Sequence, residues 1–200
     1  MLPAMPELPN EPTADVDPDL AGRLLAASEL HGDFVLSSGK RSGVYFDKFR
    51  FLTDPDLLKE LAQAVAALLP PGITGLAAPE GAATLLVAAT ALDTGLPVAV
   101  VRKEPKAYGT MSQVEGHAPA GATIALIEDV STTGNQVLKA ARTLEAEGCT
   151  IGIILLAIDR GGGEHLEKQG FWVKSVVKLE PTERSSGLDA APDLQAPQQP

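Results

Sequence analysis

Apolar residues recur along this chain in two rhythms, and their alternation predicts its elements. From Asp17, which can cap a helix ahead of Pro18, Leu20, Leu24 and Ala27 share a helical face, and the helix is expected to stop near Gly32. Phe34-Val35-Leu36 and Val44-Tyr45-Phe46 are short apolar runs on either side of a turn-rich Ser/Gly/Lys/Arg segment, the pattern of a β-hairpin with a long tip. Thr53 or Asp54 caps a second helix with Pro55 in its first turn and Leu57, Leu58, Leu61, Val65, Leu68 and Leu69 on its apolar face, ended by Pro70-Pro71-Gly72. An Ala-rich helix over 82–93 ends at Gly95, and Val137, Ala140, Ala141 and Leu144 mark another that runs to Gly148. A short helix is expected around Glu164–Lys168.

Between these helices lie buried strands at 73–78, 97–101, 124–128, 150–158 and 172–179. Regular strand–helix alternation predicts an open parallel α/β sheet, whose ligands sit beyond the carboxyl ends of the strands. The polar clusters Pro79-Glu80-Gly81, Arg102-Lys103, Glu128-Asp129 and Asp159-Arg160 all fall at those ends. Residues 102–121 carry almost no apolar periodicity, which predicts a long functional loop. The fingerprints GxGxxG and GxxxxGK[ST] are absent from the sequence, so dinucleotide and P-loop readings lack support.

Composition narrows the function. A 44% hydrophobic fraction fits a globular core, and 200 residues fit one domain. The net charge of −10 is concentrated at the ends: residues 1–19 contribute −5 and 181–200 contribute −2, leaving −3 for the body. No nucleic-acid partner is expected, because non-specific binding needs a basic surface. The single cysteine, Cys149, allows no intramolecular disulfide and no cysteine zinc cluster, and reads as a small buried residue. The three histidines, His31, His117 and His165, have neither metal nor triad spacing. Prolines at 3, 6, 9 and 12 predict a disordered arm over 1–16, and 181–200 reads as a disordered tail. With no signal-peptide pattern and no run of 18 apolar residues, the expected location is cytoplasmic, with no membrane partner.

The candidate chemistry centres on residues 124–136. Ile124-Ala125-Leu126-Ile127 is followed by Glu128-Asp129, then Val130-Ser131-Thr132-Thr133-Gly134-Asn135-Gln136 and a helix. Backbone amides at a helix start cradle a phosphate. A pure phosphate loop would avoid acids, so the two carboxylates point to a ligand that also offers sugar hydroxyls or a divalent metal.

The segment resembles the phosphoribosyl pyrophosphate (PRPP) motif of type I phosphoribosyltransferases, with Gln136 where Ser or Thr is usual and Ser131 more polar than the usual residue. Three other stretches resemble orotate phosphoribosyltransferases in particular. Arg102-Lys103-Glu104-Pro105-Lys106-Ala107-Tyr108-Gly109 is similar to that family's mobile basic loop, with Tyr108 where many members have His. Leu36-Ser37-Ser38-Gly39-Lys40-Arg41-Ser42-Gly43-Val44-Tyr45-Phe46-Asp47 is similar to the hood over the base, with Ser37 where some relatives carry a Lys that contacts PRPP; that contact is missing here or comes from elsewhere, and Lys48 and Arg50 are nearby candidates for it. Asp159-Arg160 stands where the family has an Arg that pairs with the orotate carboxylate, followed by Gly161-Gly162-Gly163, which looks looser than the usual acid-rich segment. Pro79-Glu80-Gly81-Ala82-Ala83 lies at the position of a pyrophosphate loop, where the role of Glu80 is unexplained unless Mg²⁺ intervenes.

The resemblance covers residues 18–180 and implies a type I phosphoribosyltransferase-like sheet of about five strands with flanking helices, a domain over 17–180 and a hood over 17–50. It implies orotate and PRPP as substrates, orotidine 5′-monophosphate and pyrophosphate as products, and Mg²⁺ carried by PRPP or pyrophosphate. Glu128 and Asp129, counted among the catalytic residues, would hold the ribose, and Ser131, Thr132, Thr133, Gly134 and Asn135 the 5-phosphate, with Val130 and Gln136 also among the substrate-binding residues. Arg102, Lys103, Lys106 and Tyr108 would close on pyrophosphate, with Lys103 and Lys106 among the catalytic residues. Arg160 would bind the orotate carboxylate, and Tyr45 and Phe46 would offer ring faces to the base. In the family the loop acts across a homodimer, so residues 102–116 are expected to work in trans. Two alternatives stay open: a phosphoribosyltransferase for a purine base, and a non-catalytic PRPP or nucleotide sensor of the same fold.

Overall fold

In a computed structural model of the chain, residues 19–35, 41–105 and 112–179 are described. The arm 1–16, the tail 181–200, the expected cap Asp17, the hairpin tip 36–40, and Lys106 and Tyr108 lie outside them.

The chain enters through α1 (Leu20–Ser28), which buries Leu20 and Leu24 as their spacing requires. The helix stops at Ser28, not near Gly32, because Glu29 adopts extended backbone (φ −79°, ψ 120°) and joins a strand. That strand, β1 (Glu29–Val35), pairs antiparallel with β2 (Arg41–Phe46), Glu29 opposite Phe46 and Leu30 opposite Tyr45. Ladder pairing here overrides local helical propensity. A single turn, α2 (Phe49–Leu52), then inserts Phe51 and Leu52 fully into the core. In α3 (Pro55–Ala67), the Asp54 side chain accepts from the Asp56 and Leu57 amides, each at 3.0 Å, and Pro55 occupies the first turn, as its sequence signature predicts.

The main sheet follows: β3 (Gly75–Pro79), α4 (Ala83–Thr94), β4 (Val98–Val101), β5 (Val114–Gly116), β6 (Thr123–Ser131), α5 (Asn135–Ala146), β7 (Thr150–Asp159), α6 (Gly162–Lys168) and β8 (Val173–Lys178). Its order is β5-β4-β3-β6-β7-β8, with every neighbouring pair parallel except β4–β5. The sheet therefore has six strands, and the expected 102–121 loop is a hairpin whose return arm is β5. Gly116 makes this arm possible: its φ is +94°, and a Cβ there would lie 3.2 Å from the Ala99 Cα and closer still to the Val98 carbonyl oxygen.

The two faces of the sheet are read off one strand. On β6, Ala125 and Ile127 pack among α1, α3 and α4, whereas Ile124 and Leu126 pack against Val137, Ala141 and Leu144 of α5. Cys149 is buried in the latter layer. From β3 the chain moves outward to β4 and β5, then returns to β6 beside β3 and proceeds the other way. The strand order reverses between β3 and β6, and the crevice at their carboxyl ends is where such a sheet binds ligands.

Candidate active site

Strand β6 carries its continuous apolar run to Ile127 and then places two carboxylates at the crevice. Glu128 is buried, and its Oε1 accepts the Asp129 amide at 3.1 Å. Asp129 is 0% exposed; its Oδ1 accepts the Val130 amide at 2.6 Å. Lys48, which follows the hood strand β2, brings its Nζ to 3.1 Å from Oδ1 and 3.0 Å from Oδ2 of Asp129. Burial, and next the neighbouring Asp129 charge, push the Glu128 carboxyl well above its usual pKa, with Lys48 acting in the opposite direction. Burial thus favours the neutral form of Glu128.

Past the acids, Val130 and Thr132 are half-buried, and Thr133, Asn135 and Gln136 are exposed. Gly134 precedes α5 with φ +75°, a left-handed turn in which a Cβ would also lie 2.8 Å from the Gly162 carbonyl oxygen. Gly134 at the cap offers no side chain and no acid stands in the first turn of α5, so no carboxylate competes for its leading amides; the Asn135 amide only reaches the Thr133 Oγ1, at 3.5 Å. Ser131 is placed differently from its neighbours: it is buried against Gly162, in the seam between β6 and the turn after β7.

That turn is tightly built. The Asp159 Oδ1 accepts the Gly161 and Gly163 amides at 2.8 and 3.0 Å, and a Cβ on Gly162 or Gly163 would overlap Ser131 or Asp159. The three glycines are close-approach positions rather than slack. The Arg160 amide donates to the Ser131 carbonyl at 2.8 Å, and its buried guanidinium lies 5.8 Å from the Phe46 ring centroid. Tyr45 and Phe46, successive on one strand, have different surroundings. Phe46 is buried, 6.5 Å from the Phe51 ring, and supports Arg160, whereas half-buried Tyr45 packs 5.5 Å from Phe34.

The basic loop is anchored at its foot. The Arg102 amide donates to the Gln113 carbonyl at 2.8 Å, and Gln113 Nε2 donates to the carbonyls of Arg102 and Lys103 at 2.9 and 3.2 Å. Glu80 Oε1 accepts the Lys103 amide at 2.8 Å, which gives this acid a role independent of any metal. Lys139 Nζ reaches the Lys103 carbonyl at 3.0 Å and Glu104 at 3.3 Å. The structure thus gathers Glu128, Asp129, the 131–136 loop, Arg160 and Phe46 at one crevice, with Arg102 and Lys103 at the end of β4. Lys48, Glu80 and Gln113 join the site through long-range contacts that no sequence spacing encodes.

No protein-family model matches the chain. It is 42% identical over 155 residues to an orotate phosphoribosyltransferase of Thermococcus gammatolerans, covering 75% of this chain and 82% of that protein. It is 40% identical over 164 residues to an orotate phosphoribosyltransferase of Nocardioides sp., covering 81% and 92%. The crystal structure of orotate phosphoribosyltransferase from Aeropyrum pernix superposes with a TM-score of 0.65 at 36% identity, over 80% of this chain and 93% of that one.

Proposed function

The chain belongs to the orotate phosphoribosyltransferases, and on that premise we propose that it transfers ribose 5-phosphate from PRPP to orotate, giving orotidine 5′-monophosphate and pyrophosphate in pyrimidine biosynthesis. The observation that carries this reading is the pairing, at the reversal point of the sheet, of the buried Glu128–Asp129 acids with the acid-free start of α5, while Arg160 stands on the adjacent strand end. A ligand matching that layout has a phosphate, a diol and a planar carboxylate.

In this reading Asp129 and Glu128 accept from the ribose hydroxyls, and the 131–135 segment donates to the 5-phosphate. Arg160, braced by Phe46, offers its fork of donors to the orotate carboxylate. Orotate brings its own negative charge, so displacement at the anomeric carbon needs no strong base; holding two anions in line and stabilising the leaving diphosphate supply the catalysis. Arg102, Lys103 and Lys106 hold that diphosphate. Among the described residues no three His, Cys, Asp or Glu side chains form a metal-binding group. The Mg²⁺ in this proposal would arrive with the oxygen ligands of the diphosphate, where it would neutralise leaving-group charge.

The working unit in this proposal is a homodimer with loop 102–116 acting in trans. Helix α4, which begins just after the Glu80 anchor of that loop, leaves Leu85 and Leu92 exposed, an apolar outer face that a second copy would cover. Among the described residues no helix is long and apolar enough to cross a membrane, and we place the reaction in the cytoplasm. The test is the loss of orotate absorbance on mixing the protein with orotate, PRPP and Mg²⁺, and its absence when either of the latter is omitted. Turnover of guanine or xanthine but not orotate would overturn the proposal, as would PRPP binding with no base consumed.

A further inference from the structure

Lys48 has no part in the chemistry outlined above, yet it is the cation that Asp129 meets. Its mounting is rigid. The Asp47 amide donates to the Ser28 carbonyl at 2.8 Å, the Phe49 amide donates to Asp47 Oδ1 at 3.0 Å, and the Leu52 amide donates to the Lys48 carbonyl at 3.2 Å. Phe51 and Leu52, fully buried, fix the same turn to the core. From there the side chain spans 81 positions in sequence to reach Asp129. Asp129 is wholly enclosed, but the Lys48 side chain keeps 28% exposure, so this ammonium stands between a buried carboxylate and the open crevice.

An ammonium has three donors. Two oxygens of Asp129 lie within 3.1 Å of it, which leaves donor capacity for a ligand anion. Resting on the functional reading above, the geometry points to Lys48 as a specificity-determining residue that bridges Asp129 to the 1-diphosphate of PRPP. The carbon that carries the diphosphate is bonded to a carbon that carries a hydroxyl. If Asp129 takes that hydroxyl on an oxygen that Lys48 yields to it, the anion on the next carbon comes within reach of the ammonium. Ribose 5-phosphate offers the same hydroxyls and the same 5-phosphate but no anion at that carbon, so Lys48 separates the two ligands. A positive charge beside the anomeric carbon opposes the cationic character developing there. The same charge favours the departing diphosphate, so its two effects on the chemical step offset each other, and the loss on removing it falls chiefly on KM.

The test compares the full-length protein with Lys48→Met and Lys48→Arg. Lys48→Met is expected to raise the KM and the calorimetric Kd for PRPP by about tenfold or more, the range of a lost charge-assisted hydrogen bond, while the Kd for ribose 5-phosphate moves less than about threefold. Lys48→Arg, which keeps the charge, should recover most of the PRPP affinity. Equal weakening of both ligands would make Lys48 only a support for Asp129 and overturn the inference, as would an effect on kcat alone or none on either ligand. Should Lys48→Met fold poorly, Lys48→Gln carries the same comparison. If the wild-type protein binds PRPP but does not consume orotate, the functional reading fails while the two-ligand comparison still decides the role of Lys48.

Discussion

The seam between Ser131 and Gly162 yields a quantitative prediction. Gly162 has no Cβ because there is no space for one: built there, it would lie 2.8 Å from the Gly134 nitrogen and 2.9 Å from the Ser131 Cβ, with the Ser131 Oγ nearer still. Real Cβ contacts do not reach such distances, and two of these obstacles are a backbone atom and a Cβ, which cannot rotate away. Overpacking of this kind costs about 1–3 kcal/mol. Gly162→Ala should therefore lower the melting temperature by roughly 3–10 °C for a domain of this size. It should also raise the KM for PRPP, because the Ser131–Gly134 backbone is what gets displaced. Ser131→Gly in the same chain removes both side-chain obstacles and leaves the Gly134 nitrogen, so the double variant should regain part of the loss, with a coupling of about 1 kcal/mol in a double-mutant cycle. Gly72→Ala is the control. It sits at φ +89° with nothing within 4 Å, so it carries only the left-handed backbone cost of about 1 kcal/mol and should leave PRPP kinetics alone. Additive effects of Gly162→Ala and Ser131→Gly in urea titrations would refute the steric account.

Three further perturbations probe the rest of the site. Arg160→Lys keeps the charge but loses the fork and its stacking on Phe46, and should raise the KM for orotate about tenfold or more while that for PRPP moves little; equal effects on both would remove its role at the base. Glu128, an acid with its folded-state pKa raised above the usual 4.5, binds its proton more tightly in the folded chain, so its contribution to stability is complete below that value and is lost as pH rises through the folded-state pKa. Glu128→Gln should flatten that decline in urea midpoints measured across pH, and an unchanged slope would show that Glu128 is not its source. Lys106→Ala mixed with Asp129→Asn should recover up to about a quarter of wild-type activity if the loop acts across a dimer, because one of the two sites in each hybrid is then intact; no recovery in demonstrated hybrids would place the loop in its own subunit's site.

What could be read from the sequence was local. Val137, Ala140, Ala141 and Leu144 mark one helical face by spacing alone, and these are the residues that α5 buries. Asp54-Pro55 announces the start of α3 through chemistry confined to one turn. The failures share a cause. Nothing in Val114-Glu115-Gly116 distinguishes a strand from a loop, since β5 exists through its ladder with β4 and the close approach at Gly116. The end of α1 is likewise set by a partner, Phe46, 17 positions away. In the site, the motif located Glu128 and Asp129, and Lys48 and Glu80 were legible as candidates, but not the Lys48–Asp129 pair or the anchoring of the basic loop by Glu80. Ser131 looked like its hydroxyl neighbours in a linear motif; strand pairing with the end of β7 places it in the packing.

The hydrogen bond from the Arg160 amide to the Ser131 carbonyl has a wider consequence. It joins the two strand ends from which Arg160 and the 131–136 loop both spring, while the Asp159 turn and the close-set glycines lock the junction. In the proposed reading, the two ends of the nucleotide product would be gripped by a single solid piece, which would work as a gauge of fixed length. A longer or shorter base cannot be admitted by spreading these jaws. Evolution or engineering toward another heterocycle would have to act on the third wall, the β1–β2 hairpin, which is tied to this gauge through Lys48 on Asp129 and Phe46 beneath Arg160.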